Sequence, residues 1–181
     1  IGLNAPSGGT LLVAGSGNTI TATSGTALSV VNTTISPSGL IFQSISSGAG
    51  ANNGIVLDNT GSSGGLTVNG DNSNTTQGGN ASGGTITDKT GADGSLTSGI
   101  GIYLNNTALV TLRRMTLSNF ENLGVFGTNV NGFTMEYCTI NGTIGTSTGS
   151  NDAALAFGKT NPSGTNGLNG ANASLINQCI I

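Results

Sequence analysis

Apolar residues alternate with small polar residues along short segments of the chain, and these segments resemble one another. The segments GIYLNN (101–106) and GVFGTN (124–129) are 23 residues apart. The same template fits ALSVVN (27–32), GIVLDN (54–59) and, less closely, ALAFGK (154–159). Alternation with a period of two is typical of a β-strand that has one buried face. The pattern therefore predicts a strand that recurs once in each repeat of the sequence.

A second group of alternating segments follows the first. VTLRRMTLSN (110–119) and FTMEYCTING (133–142) are again 23 residues apart, and both break the alternation at the same place, between Leu112 and Met115 and between Met135 and Cys138. A shared break indicates a shared bend between two short strands. Three further segments match parts of this element: LIFQSIS (40–46), LTVNG (66–70) and SLINQCII (174–181). A third match pairs GGTL (8–11) with GGTI (83–86).

Short strands that recur every 20 to 30 residues, joined by Gly and Asn turns, are typical of a parallel β-solenoid. We predict an all-β chain of five or six coils of about 23 residues, stacked about 4.8 Å apart. The expected coils span 1–26, 27–53, 54–100 (with an insertion at 70–98), 101–123, 124–153 and 154–181. We expect the 181 residues to form one segment of a longer protein.

Stacked coils place equivalent residues in files. The predicted asparagine ladder consists of Asn32, Asn59, Asn106 and Asn129, each at the end of a first strand. Asn tolerates the left-handed backbone of a tight turn and can bond to its neighbours there. Because Asn is frequent in the chain, chance alignment is the alternative.

The combination of 23-residue coils and an Asn turn ladder resembles the right-handed parallel β-helix of the pectate-lyase-like superfamily. The segments GGTI, GIVLDNTGSSGGLTVNG and GIYLNNTALVTLRRMTLSNF are similar to Gly- and Asn-rich repeats of large bacterial surface and autotransporter-type proteins. The resemblance implies an extracellular or cell-surface adhesin segment that acts as a rigid stalk or passenger, with flanking coils of the same polypeptide as partners. The alternative is an enzyme, since β-helices of this superfamily often cleave acidic polysaccharides.

Outward positions suggest where a ligand could bind. Tyr103 stacked over Phe126 would form an aromatic platform for a sugar ring, unless the insertion at 70–98 covers both rings. Arg114 beside Tyr137 would make a cation–π contact, and Arg113 beside Glu136 an ion pair. These side chains form either a glycan-binding patch or an ordinary solvated face.

The composition argues against most other activities. The chain has four Lys and Arg residues, too few for a nucleic-acid binder, and no apolar run long enough to span a membrane. It has no His, and no two acidic residues align in the coils, so neither a His-based site nor a paired-carboxylate site is expected. We therefore expect no catalytic residues.

Cofactors are not expected either. Asp71, Asp88 and Asp93 lie in the insertion and could hold Ca²⁺, but no calcium-binding motif is present, so no metal site is predicted. Cys138 and Cys179 align at one inward position, where we favour free thiols packed as small apolar groups over a disulfide.

Overall fold

The computed structural model describes residues 1–146, 151–158 and 166–181 of the chain. The described residues contain strands and turns and no helix, and every strand pairing in them is parallel, which confirms the predictions of an all-β chain and of parallel strands. The strands are β1 Leu3–Ala5, β2 Thr10–Val13, β3 Thr19–Ala22, β4 Leu28–Val31, β5 Thr34–Phe42, β6 Ser44–Ser47, β7 Gly50–Ala51, β8 Ile55–Asp58, β9 Leu66–Val68, β10 Gly84–Thr90, β11 Ile100–Arg113, β12 Met115–Phe120, β13 Leu123–Glu136, β14 Thr139–Ile144, β15 Ala153–Phe157 and β16 Leu175–Asn177. The described residues therefore include no helix that could cross a membrane.

The first sheet contains two ladders of strands that share β11 and β13. One ladder runs β1–β4–β8–β11–β13–β15, through the first halves of the two long strands. The other runs β2–β5–β9–β11–β13–β16, through their second halves. In the first ladder Leu28 pairs with Ile55, Ile55 with Ile102 and Ile102 with Val125, the same alignment that the sequence segments have.

The second sheet forms a third ladder, β3–β6–β10–β12–β14, with β7 paired to β10. Its strand β10 lies inside the expected insertion at 70–98, so that segment is only partly a loop. The two GGT segments also occupy different sheets, since β2 pairs with β5 and β10 pairs with β12. They are therefore not equivalent, and their similarity reflects a common turn-to-strand sequence.

The apolar core lies between the two sheets. In strands such as β4, β8 and β12, alternate residues are buried there, in the pattern that the two-residue period predicts. The side chains come from all three ladders, and Leu28, Leu57, Leu104, Leu112, Leu117 and Met135 among them are fully buried. At the last repeat the core is more open, because Leu155 and Phe157 are only half-buried.

A left-handed residue lies at the bend where the alternation breaks. Arg114, Tyr137 and Gln178 have φ values of 57°, 55° and 53°. They are equivalent residues of successive repeats, because Leu112 pairs with Met135 and Met135 with Ile176. One residue in this conformation turns the chain from the second ladder into the third. Lys159, the last residue of the ALAFGK segment, lies outside the described residues, as do 147–150 and 160–165 within the last two expected coils.

Candidate functional site

The four aligned asparagines form a hydrogen-bonded file. The Nδ2 atom of each donates to the Oδ1 atom of the one before it, at 3.1 Å from Asn59 to Asn32, 2.7 Å from Asn106 to Asn59 and 2.9 Å from Asn129 to Asn106. All four have left-handed backbones, with φ between 45° and 54°. Asn169 extends the file, donating to Asn129 at 3.0 Å. The sequence alignment had not included it.

An open groove of about 470 Å³ runs beside this file. It is lined by Asn59, Gly61, Ser62, Asn106, Thr107, Ala108, Asn129, Asn131 and Asn169. Five of these nine residues are asparagines, and each amide in the file still has a second N–H or lone pair beyond its ladder bond. The groove can therefore form hydrogen bonds with a polar ligand, although it has no charged or aromatic residue.

A second file lies one residue before the asparagines. Asn105 Nδ2 donates to Asp58 Oδ1 at 2.7 Å, and Thr128 Oγ1 donates to Asn105 Oδ1 at 2.7 Å. Asp58 is thus held by an amide, and its strand neighbour in the next repeat is Asn105, not a second acid. This arrangement lacks the two facing carboxylates that glycosidic hydrolysis requires.

The rings of Tyr103 and Phe126 are neighbours, but they do not form an open platform. Their centroids are 6.2 Å apart at an interplanar angle of 46°, and Phe126 is only 3% exposed. Phe126 packs in a small apolar cluster with Ile100 and Leu123, against which Leu96 of the insertion also packs. Burial raises the pKa of Tyr103, as does the nearby Asp58 carboxylate. Phe126 is therefore covered within this cluster, whereas Tyr103 stays partly exposed.

Two buried asparagines hold that covering segment, residues 92–98, in place. Asn122 Nδ2 donates to the carbonyl oxygens of Ala92 and Ser98, at 3.0 and 2.8 Å, and its Oδ1 accepts from the Gly94 N–H at 2.7 Å. Asn53 Nδ2 similarly donates to the Thr97 carbonyl at 2.9 Å. Sequence reasoning missed both residues, because nothing in the pattern of a single Asn distinguishes a buried one.

The two adjacent arginines have different environments. Arg113 Nε forms an ion pair with Glu136 at 2.9 Å and stays partly exposed. The guanidinium carbon of Arg114 lies 5.3 Å from the ring centroid of Tyr137, but Arg114 is only 4% exposed. Its guanidinium donates to the carbonyls of Asn69 and Asn74. Arg114 and Tyr137 are therefore in contact as expected, and the Arg114 guanidinium already donates its hydrogen bonds to carbonyl groups of the protein.

The insertion's carboxylates are also engaged within the protein. Asp71 accepts hydrogen bonds from the Asn74 and Ser73 N–H groups and from Asn80, which hold the pKa of its carboxyl well below the usual range. Its Oδ1 atom also lies 3.3 Å from Nε of Arg114. Among the described residues no three His, Cys, Asp or Glu side chains form a metal-binding group.

Lys89 is a buried cation that the sequence did not single out. It is 1% exposed, and its Nζ donates to the carbonyl oxygens of Gly25 and Gly48. Burial lowers the pKa of Lys89 to about 8. The side chain of Lys89 thus links three successive repeats of the third ladder from within, and it is not presented to solvent as a catalytic base.

Cys138 and Cys179 are both free thiols. Cys138 is fully buried, whereas Cys179 is half-buried. The interaction between the two thiols lowers the pKa of Cys179, and the same interaction, together with burial, raises the pKa of Cys138.

Comparison of the chain with models of known protein families, with curated protein sequences and with solved structures finds no match.

Proposed function

We propose that the chain is a right-handed parallel β-helix with a structural role. Three observations support this architecture: the three parallel ladders, the constant strand order within each repeat, and the core enclosed between the sheets. Parallel crossover connections are right-handed in about 98% of cases, which supports the handedness. Each repeat bonds to the repeats next to it, so stiffness accumulates along the stack.

The proposed role is a rigid stalk or passenger in a large secreted or cell-surface bacterial protein. The observation that carries it is the asparagine file, which links five side chains along one corner and fixes how each turn stacks on the next. The proposed partners are further coils of the same polypeptide. Leu175, Ile176 and Ile180, at the edge formed by the last repeat, are about half exposed and would be covered by such a coil.

The architecture can be tested by duplicating one repeat. A second copy of residues 101–123, inserted after residue 123, should add one coil and lengthen the molecule by about 4.8 Å in small-angle X-ray scattering. A duplication of 101–112 alone is the matched control, because it shifts the register and should unfold the chain. Equal behaviour of the two duplications would contradict the β-helix.

The location can be tested with antibodies raised against this chain. Staining of intact producing cells supports surface display. Staining that requires permeabilised cells refutes it.

We further propose that the segment is not catalytic. The absence of His from the sequence, the amide-held Asp58 and the Glu136–Arg113 ion pair support this. Turnover of polygalacturonate by the purified chain, measured as new unsaturated or reducing ends, would revive the alternative of a polysaccharide lyase or hydrolase.

Glycan binding is the second candidate function. The asparagine-lined groove is a better candidate for it than Tyr103 and Phe126, because Phe126 is buried. Sugar hydroxyls pair well with side-chain amides, and the groove is open along its length. Ser62→Trp would fill the groove, whereas Ser63→Trp alters an exposed neighbour that does not line it. A glycan-array signal that Ser62→Trp removes and Ser63→Trp keeps supports the groove. Equal signals from both variants would exclude it.

A further inference from the structure

The sulfur-containing side chains of this protein are concentrated in one region. The chain has two Met and two Cys residues. Met115, Cys138 and Cys179 occupy one register position in three successive repeats, because Thr116 pairs with Thr139 and Thr139 bridges to Ile180. All three side chains belong to the core, and Cys179 is the outermost of them. The result is a file of three sulfur-containing side chains inside the sheet stack.

The two thiols have the same side-chain conformation. Cys138 Sγ donates to the carbonyl oxygens of Leu112 and Glu136, at 3.5 and 3.3 Å. Cys179 Sγ donates to the equivalent carbonyls one repeat later, those of Met135 and Asn177, both at 3.4 Å. Side chains that repeat in this way lie about one strand spacing apart, roughly 4–5 Å.

That spacing suits a bridging ion better than a direct bond. A disulfide needs the sulfur atoms at about 2.05 Å, so two aligned thiols would have to abandon their shared conformation. A metal–thiolate bond is about 2.3 Å long, so an ion midway between the two sulfurs reaches both. Sulfur ligands without nitrogen or oxygen select soft ions such as Cu(I).

We propose that Cys138 and Cys179 bind a soft, thiophilic metal ion of the Cu(I) type, with the Met115 thioether as a neighbouring donor. Each bound ion displaces the two thiol protons, which pass to solvent. In the chain by itself the ion enters from the edge formed by the last repeat, where Cys179 is half-buried and the adjacent Ile180 and Ile181 are 49% and 60% exposed. Neither the structural role nor glycan binding depends on this site.

The test uses the reduced full chain under anaerobic conditions, with Cu(I) supplied as its bathocuproine disulfonate complex. We expect one Cu(I) per chain, a sulfur-to-copper absorption band in the ultraviolet and release of two protons. Loss of a ligand exceeds the 10–100-fold effect of outer contacts, so Cys138→Ser and Cys179→Ser should each weaken binding by at least about 100-fold. Met115→Leu should weaken it less.

Cys179→Ser is the decisive variant, because a half-buried position tolerates the change better than the fully buried Cys138. Circular dichroism and thermal unfolding without metal establish that it folds. Binding by Cys179→Ser within about threefold of the unmodified chain, or no stoichiometric binding by the unmodified chain, overturns the proposal.

Discussion

The asparagine file offers a direct measure of what stabilises the stack. Asn106 is the most informative position, because its side chain donates to Asn59 and accepts from Asn129 while its backbone is left-handed, with φ of 45°. In Asn106→Ala, an Ala in this conformation costs about 1–2 kcal/mol. The two lost hydrogen bonds contribute about 0.5–1.5 kcal/mol each. The free energy of unfolding should therefore fall by about 2–5 kcal/mol.

Asn52→Ala separates the two contributions. Asn52 is also left-handed, with φ of 81°, and exposed, but within the described part of the chain its side chain has no place in the file. Its substitution should cost only the backbone strain of about 1–2 kcal/mol. The difference between the two variants then reports the two ladder hydrogen bonds.

Urea unfolding followed by circular dichroism measures both variants against the unmodified chain, with equal m-values as the condition for comparing midpoints. Asn106→Gly provides a further check, since Gly relieves the strain but cannot restore the hydrogen bonds. If Asn106→Ala loses no more stability than Asn52→Ala, the file contributes nothing measurable and the reasoning fails.

Three further predictions concern buried polar groups. The unfolded chain keeps the Lys89 proton up to about pH 10.5, whereas the folded chain releases it near pH 8. The free energy of unfolding should therefore rise between about pH 8 and 9.5. Urea titrations across that range should show this rise for the unmodified chain and not for Lys89→Met. Asn122→Ala removes three hydrogen bonds, so residues 92–98 should exchange their amide hydrogens faster and the pKa of Tyr103 should fall towards its ordinary value. Unchanged amide exchange would show that Asn122 does not hold this segment in place. Arg114→Ala should cost about 2–4 kcal/mol of unfolding free energy, because it leaves buried carbonyls unpaired, whereas Arg113→Ala should cost less than about 1 kcal/mol. Equal losses for the two arginines would refute this distinction.

Much of the strand arrangement could be predicted, because in a stacked repeat the alignment of the repeated segments is also the register of the paired strands. Equivalent strands bury equivalent residues, so the alignment of GIYLNN with GVFGTN is also the pairing of Ile102 with Val125. Two features escaped this reasoning. β1 pairs with β4 from only three residues, too few to show a period, and β10 lies among Gly, Asn and Thr residues that are typical of loops.

The candidate sites were harder to predict, since burial depends on what packs from elsewhere. The sequence brought Tyr103 and Phe126 together but could not show that Leu96 packs over their cluster. Nothing in the sequence indicates that Lys89 reaches the carbonyls of Gly25 and Gly48, which lie 64 and 41 residues before it in the chain. Register can be read along the chain, whereas contacts made by irregular segments cannot.

The two long strands have a consequence for how the chain folds. β11 and β13 pair along both ladders with equivalent residues only 23 positions apart, whereas β8 and β11 are separated by 47. Doubling the length of a loop costs about 0.6 kcal/mol of closure entropy. The pairing of β8 with β11 closes the longer loop and joins fewer residues than the pairing of β11 with β13. We expect folding to nucleate at this strand pair and to spread outwards in both directions. In pulse-labelled hydrogen exchange, the amides of β11 and β13 should become protected before those of β4 and β8; the reverse order would refute this. The middle of the stack would then be the template on which its two ends assemble.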